Sequence, residues 1–217
     1  MRYERDPARI YAQSFAAVRE VSRLDHLPAD LHPLAIRLVH ATGRPETADR
    51  LAWSDGASQA GQQALRAGAP VFCDCEMVAS GITRARLPAH NPILCTLNDP
   101  RVPAQAAAIG NTRSAAAVEL WRERIEGAVV AIGNAPTALF HLLELLDAGW
   151  PRPALILGFP VGFIGAAESK AELAARPRGS QFVTLRGRAG GSAMAAAALN
   201  ALALGACEGQ PGTEVCR

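Results

Sequence analysis

Lysine is almost missing from this chain: of 22 basic residues among 217, only Lys170 is a lysine and the rest are arginines. That lysine follows Ser169 rather than a glycine, so there is no Gly-Lys-Ser/Thr step and no P-loop. The arginine excess goes with the abundant alanine, glycine and proline of a GC-rich genome, although arginine also suits carboxylate and phosphate recognition better than lysine. Charge is sparse as well. At 19% charged residues and a net charge of +2, the chain lacks the clustered basic stripe that a nucleic-acid surface needs. No apolar run approaches the roughly 18 residues of a membrane span. The start is charged (Arg2, Glu4, Arg5, Asp6) with no apolar stretch behind it, so no secretory leader is expected. Cys73, Cys75, Cys95, Cys207 and Cys216 are an odd set without a C-x-x-C pair, which fits reduced thiols in a cytoplasmic protein. The C-x-C at 73–75 offers a metal two ligands and no matching second pair. A dinucleotide fingerprint is missing too. The glycines of 158–165 have the wrong spacing, and those of 187–191 follow the last strand with no later acidic partner. A nicotinamide or ATP enzyme is not expected.

What the chain does have is apolar residues, 49% of the total, enough for one α/β domain. Short unalternating apolar runs at 70–73, 93–97, 128–132, 154–157 and 182–185 read as strands buried on both faces. The last three each end in glycine or Arg186-Gly187 and lead into helix-forming stretches. Helices are predicted at 8–22, 31–41, 55–67, 76–81, 113–125, 136–147, 165–175 and 190–203. This alternation predicts right-handed βαβ units: a doubly wound three-layer α/β/α sandwich with a five-stranded parallel sheet and extra N-terminal helices. Residues 1–204 are expected to form a single domain and 205–217 a flexible tail. Ligands of such sheets bind beyond the carboxyl ends of the strands, where the glycine loops lie.

Histidine and arginine are the remaining chemistry. On a helical wheel Leu34, Ala35, Leu38 and Val39 share one wedge, while Arg37 and His40 lie opposite, near Ile36. His40 is therefore off the buried stripe, with a cation one turn away; the same position also suits a histidine that only serves the helix C-terminus. Arg84, Arg86, Arg113, Arg186 and Arg188 fall in loops or first helical turns near strand ends. Asn111-Thr112-Arg113-Ser114, Asn134-Ala135-Pro136-Thr137 and Gly190-Gly191-Ser192 each open a helix and present N–H groups that could hold an anion. Singly each is also an ordinary cap. Together they suggest a large substrate with several carboxylates or phosphates.

Several segments, taken in order, resemble one family. They are Leu38-Val39-His40-Ala41-Thr42-Gly43, residues 68–78, Gly81-Ile82-Thr83-Arg84-Ala85-Arg86-Leu87-Pro88, Ile109-Gly110-Asn111-Thr112-Arg113-Ser114, residues 132–139, residues 160–170 and Arg186-Gly187-Arg188-Ala189-Gly190-Gly191-Ser192. Across about 3–203 the chain is similar to the precorrin-8X methylmutases of cobalamin biosynthesis. The resemblance implies a flavodoxin-like fold and a homodimer whose two active sites are shared between subunits. It implies migration of a methyl group from C-11 to C-12 of a corrinoid tetrapyrrole, with His40 as the proton donor and no metal or organic cofactor. Ser14, Arg37, Thr83, Arg84, Arg113 and Ser114 are the expected substrate contacts, with Arg37 an orienting group or carboxylate partner. A non-catalytic corrinoid carrier and an unrelated flavodoxin-like nucleotide enzyme stay open at this point. No nucleic acid or membrane is expected as a partner, and the cytoplasm is the expected location.

Overall fold

The computed structural model describes Met1 and residues 3–207. Its elements alternate as the apolar runs predict. Parallel strands β2 (Val71–Cys73), β3 (Ile93–Cys95), β4 (Val129–Ile132), β5 (Leu155–Gly158) and β6 (Gln181–Leu185) are joined by helices. The sheet nevertheless has six strands, not five. The added strand, β1 (Leu51–Trp53), runs antiparallel to β6 at the edge, with Leu51 opposite Leu185 and Trp53 opposite Val183. A three-residue edge strand has no periodicity to read, because its pairing is settled by β6 rather than by its own pattern.

The spatial order is β1-β6-β5-β4-β2-β3. The chain therefore winds outward in both directions from β2, with β3 on one side and β4 on the other. Two apolar clusters fill the two faces of the sheet. One gathers α2 (His32–Thr42), α3 (Ala57–Arg66), α4 (Glu76–Gly81) and α9 (Ser192–Cys207). The other gathers α6 (Arg113–Glu119), α7 (Pro136–Asp147) and α8 (Ala166–Ala175) around Phe72 and Trp121, whose rings stack 5.2 Å apart. Each large side chain buried in this way contributes about 1.5–3 kcal/mol.

Three helical boundaries differ from expectation. α5 (Val102–Ile109) lies in a stretch not read as helical, and the helix from Arg113 stops at Glu119, followed by a 3-10 turn over Arg122–Arg124. α9 continues to Cys207, with Ala206 and Cys207 buried, so 205–207 are helix rather than tail; 208–217 lie outside the described residues.

α9 is the axis of its layer, packing on α2, α3 and α4. Its alanines allow this. A Cβ on Gly81 of α4 would come within 2.7 Å of Ala196 Cβ, so the two helices touch nearly backbone to backbone. α1 (Pro7–Val21) is the opposite case: it lies across α2 and buries none of its residues.

Candidate active site

α2 ends where its sequence says it must. Gly43 adopts the left-handed conformation (φ 65°) and its N–H closes on Val39 O at 2.8 Å. From there a 3-10 helix over Pro45–Arg50 leads straight to Leu51, opposite the last residue of β6. His40, in the last turn of α2, thus sits at the end of the molecule where the parallel strands finish. The wheel is right that the ring is off the core: His40 is exposed, while Leu34, Ala35, Leu38 and Val39 are buried. Ile36 departs from it and is buried too, beneath α1 and α9.

α1 supplies the partners. Ser14 Oγ lies 3.0 Å from His40 Nδ1, and the Phe15 ring stacks on the imidazole with centroids 4.8 Å apart. Phe15 also stacks on Tyr11 at 4.3 Å, and Tyr11 OH accepts from Arg37 Nη2 at 2.6 Å. The Arg37 guanidinium lies 5.3 Å from the Phe15 centroid. Tyr11, Ser14, Phe15, Arg37 and His40 therefore form one connected cluster. The ring stack adds about 0.5–1.5 kcal/mol and fixes the plane of the imidazole. His40 Nε2 has no hydrogen-bond partner among the described residues. By contrast His26, His32 and His141 are tied to Ala48 O, Leu27 O and Glu119 respectively.

Tyr11, Ser14 and Phe15 share one side of α1. That side meets the exposed face of α2 rather than the core. Tyr11, Phe15 and Arg37 also border a cavity of about 550 Å³ between α1, α2, α3 and α9, to which Arg19 and Arg66 contribute and His40 does not.

The other expected contacts are not joined to this cluster. Thr83 donates its N–H to Asn200 Oδ1 (2.9 Å) just beyond α4, and Arg84 is exposed beside it. Arg113 is in the opposite helical layer, its guanidinium on Leu97 O (3.2 Å) and Asn98 Oδ1 (3.4 Å), with Ser114 following it in the first turn of α6. No hydrogen bond or ring contact links Thr83, Arg84, Arg113 or Ser114 to His40 among the described residues.

Two of the three expected anion cradles are already used. Thr112 caps α6 through Ala115 N–H and meets Thr137 Oγ1 at 2.8 Å. At the carboxyl ends of β2 and β4, where winding reverses and ligands of such sheets ordinarily bind, the Asp74 carboxylate accepts from Gly133, Asn134 and Ala135 N–H at 2.8–2.9 Å. The fold closes that crevice with a side chain of its own. Burial pushes the Asp74 carboxyl up, against the pull of the three N–H groups. Asp74 stood between two cysteines in the sequence, and nothing local distinguished it.

Comparison with known proteins identifies the family. The precorrin-8X methylmutase family model matches residues 9–204. The precorrin-8X methylmutase of Pseudomonas aeruginosa is 62% identical over 201 residues, covering 93% of this chain and 97% of that protein. That of Sinorhizobium is 58% identical, covering 93% and 96%. The cobalt-precorrin-8 methylmutase of Priestia megaterium is 35% identical over 91% of this chain and 88% of its own. A crystal structure of precorrin-8X methylmutase from Thermus thermophilus superposes with a TM-score of 0.83 at 36% identity, over 92% of this chain and 96% of that one. The chain belongs to the precorrin-8X methylmutase family.

Proposed function

We propose that this chain is an isomerase of cobalamin biosynthesis that moves a methyl group from C-11 to C-12 of precorrin-8X to give hydrogenobyrinic acid, with His40 as the general acid. Family membership carries the reaction. The role of His40 is supported by one arrangement: Ser14 meets Nδ1 while Nε2 is left without a partner. With the ring cationic, Nδ1–H donates to Ser14 Oγ and Nε2–H is free to go to the ring-C nitrogen of the tetrapyrrole. After transfer the neutral ring keeps its proton on Nδ1, still held by Ser14. The protonated tautomer then undergoes the 1,5-sigmatropic shift, and the borrowed proton returns. Such a shift is intramolecular, so tautomer selection and positioning are what the protein has to supply.

Ser14, Arg37, Thr83, Arg84, Arg113 and Ser114 belong to this reading as substrate contacts. Their separation within one chain favours a homodimer in which each site draws residues from both subunits. The apolar exposure of Ile10, Tyr11 and Val21 on α1 favours it as well. The parallel strands, taken without β1, follow the order 2-1-3-4-5, which supports a flavodoxin-like core with one antiparallel strand added. We read residues 1–204 as one methylmutase domain on the extent of the family match. A cytoplasmic location rests on the sequence alone. The substrate is read as cobalt-free, because the relatives named for precorrin-8X are 62% and 58% identical against 35% for one named for cobalt-precorrin-8.

His40→Ala tests the assignment. It lowers kcat on precorrin-8X by about 10²–10⁴-fold, while binding of the coloured product, followed by visible absorbance, persists. Turnover at the wild-type rate in that variant excludes His40 as the acid, and a wild-type chain that binds without turnover restores the carrier reading.

A further inference from the structure

The connection from β5 to α8 exposes three apolar side chains at once: Phe163 is 84% exposed, Ile164 91% and Val161 43%. Apolar exposure clustered in this way marks a surface that something covers. The segment is not loose. Gly162 N–H donates to Arg188 O at 3.3 Å and Gly191 N–H to Phe159 O at 2.8 Å, stitching it to the connection from β6 to α9. The two backbones meet so closely at Gly190 that a Cβ there would stand 2.3 Å from Phe159 O and 2.5 Å from Pro160 O. Lys170 braces the join from beneath, its ammonium donating to Ala189 O. The Arg188 guanidinium lies 5.6 Å from the Phe163 ring centroid.

Cations outnumber anions around this platform, where Glu168 in the first turn of α8 is the nearby carboxylate in sequence. Arg186 and Arg188 are exposed, Lys170 is 1% exposed, and none of the three has an ion pair among the described residues. A buried ammonium without a counter-charge is costly, and here it adds positive potential under a surface that already carries two free guanidinium groups.

We infer that this platform is a seat for the substrate: Phe163 and Ile164 pack against the tetrapyrrole and Arg188 binds one of its carboxylate arms. The inference rests on the methylmutase reading and adds to it a site that the His40 cluster does not include. Charge and polarity together select the occupant. A small anion such as phosphate would satisfy the cations but leave the apolar pair wet, whereas a broad, flat apolar ring fringed with acetate and propionate arms satisfies both.

Phe163→Ser and Arg188→Gln test it, with Arg188→Lys as the charge-retaining comparison. Titration with hydrogenobyrinic acid by visible absorbance should show Kd weakened about tenfold or more for the first two, with partial recovery in Arg188→Lys. In turnover of precorrin-8X most of the loss in kcat/KM should fall on KM. Product binding at wild-type strength by both variants overturns the seat. So does conversion of the protein to a smaller assembly whose chains still bind as tightly, which would make this loop a contact between copies. A wild-type protein inactive on precorrin-8X defeats the methylmutase reading itself, whereas an active wild type with unaffected variants defeats only the seat.

Discussion

At the scale of single residues, Asp74 and Lys170 are buried charges with different consequences. Asp74 is compensated by three N–H donors across the β2–β4 junction. Asp74→Ala leaves those donors facing an apolar interior and should cost about 3 kcal/mol or more, at roughly 1–3 kcal/mol per unsatisfied group. Chemical denaturation measures it, and an unchanged midpoint would mean that water replaces the carboxylate freely. Lys170 has only a carbonyl, and burial lowers its pKa to about 8 from an ordinary 10.5. Between those values the unfolded chain binds the proton and the folded chain does not, so stability rises as pH climbs from about 8 to 10.5. The thermal midpoint of the wild type should therefore gain on that of Lys170→Met across this interval, and a constant difference between the two would contradict it.

At the scale of elements, legibility followed burial. Runs such as Val129-Val130-Ala131-Ile132 are apolar because both faces of the strand are covered, and they were readable. Leu51-Ala52-Trp53 was not, because an edge strand of three residues takes its conformation from β6. The stretch Asn134-Ala135-Pro136-Thr137 reads as a possible cradle for a substrate anion; its Asn134 and Ala135 N–H groups, with that of Gly133, instead hold the Asp74 carboxylate, 60 residues before Asn134 in the chain and so beyond local reading. The α1 helix was readable, while its packing against the exposed side of α2 was not. α1 contributes position rather than stability, since none of its residues is buried. Ala12→Pro, which breaks a helix interior at a local cost of about 3 kcal/mol, should leave the global melting temperature within a few degrees. Turnover should nevertheless fall sharply as Ser14 and Phe15 leave His40. A large drop in melting temperature would show α1 to be part of the cooperative core.

At the scale of the whole molecule, the expected contacts divide into a set around His40 and sets at Thr83–Arg84 and Arg113–Ser114 that do not touch it. If two chains complete one another's sites, His40→Ala and Arg113→Ala, each inactive alone, should complement when unfolded and refolded together. Half of the dimers would be mixed and each would hold one intact site, giving about a quarter of wild-type activity. Zero recovery in verified mixed dimers would mean that one chain supplies both residues of each site.

The alanine content of α9 has a further implication for how such an enzyme can diverge. α2, which carries His40, and α4, which leads to Thr83 and Arg84, both rest on this one slim helix. Its side chains act as shims: thickening one of them by two methyl groups would push both flanking helices outward together. If one chain's site draws on both flanking helices, the width available to the macrocycle depends in part on positions that never meet it, and variants altered in ring preference should be sought along α9 as well as around His40.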